Sequence, residues 1–355
     1  MLAVASEIYP LIKTGGLADV VGALPAALAA HGVMVRTLVP GYPAVLARVG
    51  KGKVVARYDS LFGVSATVVA ASVDGLDLLI LDAPDFFARE GGPYGDHAGN
   101  AWGDNWRRFA ALSRVGADIA AEGVKGWRPD AVHAHDWQAA MTAAYMRFGP
   151  AHAVPKIVTI HNLAFQGRFG ADVFGWLGLP PEAWGMDGVE YYGGIGYLKA
   201  GLVSADAITT VSPTYAEEIG SPVHGMGLDG LINGRGDRLH GILNGVDTAI
   251  WNPAADSLIA RPFSGRALAG RAANRRALRS WRARRNEAAW PRPRASATAS
   301  AKLPNSTVSS RIAVTARPKP SGALPLRVTT RLTTVPAITT AITGLCSRCR
   351  GDSLI

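Results

Sequence analysis

Short apolar runs alternate with helix-length segments through the first two-thirds of the chain, and this alternation limits the fold more than any other feature. Residues 2–6, 33–39, 130–135, 156–161, 207–211 and 239–243 read as strands, several of them rich in β-branched side chains. Residues 17–30, 106–122 and 137–148 carry apolar residues at helical spacing, and glycines at 32 and 123 close the first two. Residues 53–82 are strand-like runs broken at Gly63 and Asp74-Gly75, which predicts hairpins. Strand, helix, strand with short links is the pattern of an α/β fold: a Rossmann-like, mostly parallel sheet covered on both faces. In such sheets ligands sit at the carboxyl ends of the strands, so polar residues that directly follow a strand become the candidates.

Charge narrows the function classes. The net charge is +10, yet residues 257–355 hold 19 Lys and Arg against only Glu287 and Asp352, while the remaining residues hold 18 basic and 25 acidic side chains. The basic balance therefore belongs to the tail. Its aromatics are Phe263, Trp281 and Trp290, and it shows no recognisable module, so no specific nucleic-acid partner is expected. The only cysteines are Cys346 and Cys349, and no His follows His240, so neither a disulfide framework nor a zinc site is expected. Residues 2–5 form too short an apolar run for a signal peptide, and no uncharged apolar run reaches membrane-spanning length. A soluble, cytoplasmic protein without membrane partners is the expectation.

Three segments follow strands and carry chemistry. Lys13-Thr14-Gly15-Gly16-Leu17-Ala18-Asp19-Val20 opens a helix. Paired glycines admit close backbone approach by a bulky anion. The helix N-terminus adds free N–H groups and a positive dipole end, and Lys13 adds a full charge. The combination suits a diphosphate, although paired glycines also punctuate plain tight turns. It is neither a P-loop nor the dinucleotide fingerprint, which argues against an oxidoreductase. His133-Ala134-His135-Asp136-Trp137 ends a strand, with both histidines on one side of it. His133 reads as a hydrogen-bonded structural residue; Asp136 stands where substrate groups sit and could equally cap the next helix. In Thr159-Ile160-His161-Asn162-Leu163-Ala164-Phe165-Gln166-Gly167, His161 could donate to a sugar hydroxyl or stabilise charge, or be structural.

Further segments follow in order: Leu198-Lys199-Ala200-Gly201-Leu202, Val211-Ser212-Pro213-Thr214-Tyr215, Gly225-Met226-Gly227-Leu228-Asp229-Gly230-Leu231, Ile242-Leu243-Asn244-Gly245-Val246-Asp247 and Trp251-Asn252-Pro253. With Ser6-Glu7 and the three segments above, they resemble the bacterial glycogen synthase and plant starch synthase family over residues 1–255, with a weaker echo to 279. The resemblance implies the N-terminal half of a GT-B glycosyltransferase. It implies transfer of glucose from ADP-glucose to the non-reducing end of an α-1,4-glucan such as glycogen, with retention of configuration and no cofactor. It further implies that Lys13, Gly15 and Gly16 contact ADP-glucose, that His161 lies against the transferred glucosyl group with Asp136 and Asn162 nearby, and that Asn244 touches sugar or nucleotide. His161 and Asp136 are the catalytic candidates, and Tyr94 is a candidate for stacking on a sugar face. Positive charge from the protein would stabilise the departing diphosphate without a metal.

The resemblance also implies a second Rossmann-like domain after Trp251-Asn252-Pro253, bearing an Arg, a Lys-Gly pair and a Glu-x-x-Gly loop. The residues that follow show neither segment; their single glutamate is Glu287. The expected organisation is therefore a family-like domain over 1–255, a helical connection over 256–280, and a disordered, low-complexity basic tail over 281–355. The abrupt change near 280 reads as a frame shift or truncation, which translating the encoding DNA in its other frames would test. Little synthase activity is expected of the chain as written. A catalytically inert glucan-binding module and a UDP-glucose-dependent relative are the competing readings.

Overall fold

The computed structural model of the chain describes residues 1–246 and 251–288, with backbone alone for 282–288. Met1–Gly245 forms one unit and a second begins at Val246. The first unit runs β1 (Leu2–Val4), α1 (Gly16–Ala29), β2 (Arg36–Pro40), α2 (Pro43–Val49), β3 (Lys53–Leu61), β4 (Val64–Val73), β5 (Leu76–Asp82), α3 (Pro84–Phe87) and α4 (Asn105–Glu122). It continues with β6 (Val132–His135), α5 (Asp136–Arg147), β7 (Lys156–Ile160), β8 (Arg168–Phe169), β9 (Glu190–Tyr191), β10 (Gly194–Gly196), α6 (Tyr197–Ser204), β11 (Ala207–Thr210), α7 (Pro213–Ile219), α8 (Asp229–Gly234) and β12 (Leu239–Gly241).

Nine strands make one sheet in the order β12-β11-β7-β6-β1-β2-β5-β4-β3. Every pairing is parallel except β3–β4 and β4–β5. Those two hairpins turn at Phe62-Gly63 and Asp74-Gly75, where all four residues have φ between 50° and 82°. Such doubly left-handed turns match the twist of paired strands. The expected α/β fold with a mostly parallel, Rossmann-like sheet is what the chain adopts.

The central strands are buried along their whole length, as strands covered on both faces must be. Met1 and Ala3 pack with Leu24 and Leu28 of α1, while Leu2 and Val4 join the larger core. Gly116 of α4 lets that helix lie close on this second side, because a Cβ there would press on Val4 and Thr142 at 3.0 Å. A separate three-stranded sheet, β8-β10-β9, had no counterpart in the sequence reading.

Several bounds differ from expectation. The second strand starts at Arg36, three residues late, because Val33 donates its N–H to the Leu28 carbonyl and closes α1 instead. The last strand stops at Gly241 and not at 243. In the second unit the helix α9 spans Gly270–Ala288. It starts later than the helical connection expected over 256–280 and runs past its end, since Ala and Arg are strong helix formers. Asn274 anchors it by donating to the Arg261 carbonyl and accepting the Arg261 N–H. Residues 289–355, where the basic tail and both cysteines fall, lie outside the described residues.

Candidate active site

The chain leaves β1 in one direction to add β2 and β5, then returns to place β6 on the other side of β1. That reversal opens a crevice at the carboxyl ends of β1 and β6, the place where open α/β sheets bind ligands. The glycine loop, Asp136 and His161-Asn162 reach this end of the sheet because they follow β1, β6 and β7.

After β1 come Ser6 and Glu7, both buried. The Glu7 carboxylate accepts the Thr14 backbone N–H, the Thr14 hydroxyl at 2.7 Å and the Tyr94 hydroxyl. Tyr94 also shares a 2.8 Å hydrogen bond with Ser6. Glu7 thereby ties the glycine loop to a residue 87 positions away. Burial, with Tyr42 and Glu7 adding to it, holds the Tyr94 phenol far above its ordinary pKa, so it stays a donor.

The loop itself is open. Gly15 is the N-cap of α1 with extended backbone and provides no side-chain cap, so the first N–H groups of a 14-residue helix remain available. Neither Gly15 nor Gly16 has a positive φ, and a Cβ on either would meet nothing within 4 Å. The fold needs neither glycine for a turn or a close contact. Gly22 is the contrast: a Cβ there would collide with the Tyr9 carbonyl. Lys13 pairs with Asp19 at 2.6 Å, both about half exposed. Such a pair contributes little, so an anion can compete for the lysine.

At the end of β6 the chain turns sharply into α5. Asp136 makes the turn with φ of 57°, a left-handed conformation that costs a non-glycine residue on the order of 1 kcal/mol. Its Oδ1 accepts the His161 N–H at 2.7 Å and lies 3.4 Å from the Asn162 N–H. Burial pushes the Asp136 carboxyl up to about 7, against the pull of those two donors and with a further push from Glu7. Asp136→Asn keeps both the acceptor and a residue tolerant of this backbone, so it should stay within about 1 kcal/mol of the parent. Asp136→Ala strands the His161 and Asn162 N–H groups and should lose about 3 kcal/mol. Urea unfolding of the two variants checks this, and equal stability would remove the carboxylate's role in holding the loop.

His161 follows β7 and meets His135, with His135 Nδ1 and His161 Nε2 3.0 Å apart. His135 in turn stacks on His133, ring centroids 4.0 Å apart. His133 Nε2 bonds Thr159 Oγ1 at 2.6 Å, and Thr159 bonds Thr209 at 2.6 Å. His133 is thus the hydrogen-bonded structural residue expected. Desolvation lowers all three histidines: His133 to about 3, His161 to about 4, and His135 well below its ordinary value with help from its two neighbours. They are neutral at physiological pH.

Two of the other segments are tied to the loop after β7. Tyr215 Oη accepts the Leu163 N–H at 3.0 Å, and Ser212 caps α7 by accepting the Tyr215 N–H. The Met226 carbonyl accepts from Gln166 and Tyr191. Lys199 is buried and donates to the Gly185, Met186 and Gly188 carbonyls, a structural role. Gly167 has φ of 61° and lies where a Cβ would enter the Trp137 indole. Asn162 folds back to accept the Ala164 N–H. Asn244 lies beyond the end of β12 and is exposed. Tyr94 packs on Phe109, which packs edge-on against Trp137. Among the described residues no group of three or more His, Cys, Asp and Glu could hold a metal ion, and no helix is long and apolar enough to cross a membrane. Sequence reasoning missed the clasp by Glu7, the coupling of His135 to His161 and the Tyr215 contact. A buried acid directly after an apolar strand was the one available signal for Glu7.

The chain is 60% identical over 278 residues to a glycogen synthase of Mesorhizobium japonicum, covering 78% of this chain and 58% of that protein. It is 58% identical over 281 residues to a glycogen synthase of Novosphingobium aromaticivorans, with the same coverage. Among solved structures, the catalytic domain of Starch Synthase IV from Arabidopsis thaliana, bound to ADP and acarbose, superposes with a TM-score of 0.63 at 30% identity, covering 79% of this chain and 58% of that one. The chain therefore spans somewhat over half the length of these relatives. Residues 1–234 match the family model described as Starch synthase catalytic domain, and the chain belongs to that family.

Proposed function

We propose that this chain carries the glucan- and phosphate-facing half of a cytoplasmic glucosyltransferase that moves glucose from ADP-glucose to the non-reducing end of an α-1,4-glucan with retention of configuration. The observation that carries the reading is the glycine loop: two glycines that the fold does not require stand at a free helix N-terminus, in the switch-point crevice that also holds Asp136 and His161. An ADP- and acarbose-bound relative of the same fold supports the donor nucleotide and the glucan.

In this reading the bond between glucose C1 and the diphosphate oxygen breaks while C1 gains a bond to the acceptor hydroxyl, whose proton leaves with the diphosphate. Negative charge grows on the departing diphosphate, and the N–H groups of α1 with Lys13 stabilise it. Neutral His161 binds the glucosyl group by a hydrogen bond, and Asp136 holds the His161–Asn162 backbone in place. Asn244 and Tyr94 complete the sugar and nucleotide contacts. No metal and no nucleic acid takes part.

The glucan side is represented by a cavity of about 440 Å³ lined by Trp137, Ala164, Phe165, Gln166, Gly167, Arg168 and Met226. Phe165 is 63% exposed there, an aromatic face offered to sugar rings. Calorimetric titration of the 355-residue chain with maltoheptaose is expected to show binding, and Phe165→Ala should weaken it about fivefold, near 1 kcal/mol. Parallel titrations with ADP-glucose and UDP-glucose should favour the former. Absence of maltoheptaose binding, or a preference for UDP-glucose, would overturn the reading.

A second reading, a glucan-binding module without turnover, is favoured by one fact. This cavity lies wholly within residues 1–245, whereas the residues after Trp251 contain neither a Lys-Gly pair nor a Glu-x-x-Gly segment. Maltoheptaose binding without glucose incorporation from ADP-glucose distinguishes it.

A further inference from the structure

We propose that His135 is a positioning residue that fixes His161 as its Nδ1–H tautomer, so that His161 presents a hydrogen-bond donor to whatever occupies the crevice. The proposal rests on the reading of His161 as a ligand contact only for its consequence; the tautomer itself follows from the pair.

The two rings share one hydrogen bond, between His135 Nδ1 and His161 Nε2 at 3.0 Å. Each neutral imidazole carries one N–H and one acceptor nitrogen. If His161 donated from Nε2, His135 would accept at Nδ1 and carry its own proton on Nε2. His135 Nε2 is fully buried and has no hydrogen-bond partner among the described residues. That arrangement would bury an orphaned N–H, the rarest kind of unsatisfied group in folded proteins. In the opposite arrangement His135 donates from Nδ1 and leaves only an unpaired lone pair on Nε2, a less costly defect. His161 then accepts at Nε2 and carries its proton on Nδ1, the ring nitrogen with no hydrogen-bond partner among the described residues.

The next ring obeys the same rule. His133 bonds Thr159 through Nε2 and leaves a buried, unpartnered Nδ1. Placing its proton on Nε2 again avoids an orphaned N–H. Protonating either ring at its second nitrogen would add an orphaned N–H, and is opposed as well by burial and by mutual repulsion among the three imidazoles. The register of β6 against β7, which sets His135 beside Thr159, holds the rings in this row.

The consequence is chemical selectivity. A donor at His161 Nδ1 addresses an oxygen lone pair, such as that of a sugar hydroxyl or a phosphoryl group, and turns away a ligand that offers only N–H or O–H donors. An isolated histidine in water prefers the Nε2–H form, so the structure calls for the opposite of the default.

Long-range proton–nitrogen correlation spectra of the ¹⁵N-labelled 355-residue chain at pH 7 decide it. The expected result is a pyrrole-type nitrogen at His161 Nδ1 and a pyridine-type nitrogen at Nε2; the reverse assignment overturns the proposal without any variant. His135→Gln retains an amide N–H donor and should preserve the tautomer, whereas His135→Phe should shift His161 to Nε2–H. An unchanged His161 tautomer in folded His135→Phe would also overturn it. If the tautomer is as stated and the chain binds neither ADP-glucose nor maltoheptaose, the functional reading fails while this one stands.

Discussion

Lowering the pH from 7 to 5 is expected to cost the first unit roughly 4 kcal/mol of stability, the net of a larger loss through three histidines and a partial gain through Asp136. His133, His135 and His161 are held neutral by burial in the folded state, with pKa values depressed to about 3, well below normal, and about 4. In the unfolded chain each titrates near 6.5. Below that value the unfolded state binds more protons, so stability falls as the pH falls. As long as the folded values stay under 5, the size of the loss is set by the unfolded value, and each histidine withdraws about 2 kcal/mol at pH 5. Asp136 acts with the opposite sign. Its folded pKa is raised to about 7, so the folded state takes up a proton first and regains about 2 kcal/mol over the same interval. The net is a large share of the 5–15 kcal/mol typical of a domain. Urea unfolding at pH 7 and pH 5 measures it, and a flat profile would show that the histidines are not held neutral. His133→Gln should reduce the net loss by about half.

The sheet was legible because its strands are short, apolar and β-branched; residues 156–160 and 207–210 leave little else to read. Where hydrogen bonding and not side-chain type decides, the sequence misleads. Val33 looks like strand, yet its N–H closes α1. Gly194–Gly196 carries no period at all, and its pairing depends on Phe169 and Tyr191 arriving beside it. The site shows the same division. Residues that follow strands could be picked out one by one, since chain order places them at the carboxyl edge. Their partners could not. Glu7 reaches Tyr94, in the loop between α3 and α4, across 87 positions, and His135 meets His161 across 26 through sheet order; local spacing encodes neither. The sequence leaves the glycine loop open between cradle and turn; its backbone angles and surroundings show only that the fold requires neither glycine.

Replacing Gly15 or Gly16 by alanine should leave the fold intact and remove its nucleotide affinity, whereas Gly22→Ala should do the reverse. All three glycines lie within eight residues, Gly15 as the N-cap of α1, Gly16 as its first residue and Gly22 in its interior, where propensity alone would most favour alanine. Their surroundings differ. A methyl group at Gly22 meets the Tyr9 carbonyl, a backbone atom held by its own chain, and cannot be accommodated without moving that segment off α1. Overpacking of this kind costs about 1–3 kcal/mol. At Gly15 and Gly16 the added methyl meets nothing and φ is not left-handed, so unfolding free energy should hold or rise by up to about 1 kcal/mol as the unfolded chain loses freedom. The same methyl would occupy the space through which a diphosphate reaches the N–H groups of α1. ADP-glucose binding should then weaken by tenfold or more, about 1.4 kcal/mol for each factor of ten. Thermal unfolding and ADP-glucose titration of the three variants separate the outcomes. Destabilisation at Gly15 or Gly16 comparable to that at Gly22 would make them structural glycines. Undiminished nucleotide binding in both would move the diphosphate elsewhere. The paired result, stability lost at one glycine and ligand lost at two, is what a loop built for an anion requires and a plain turn does not.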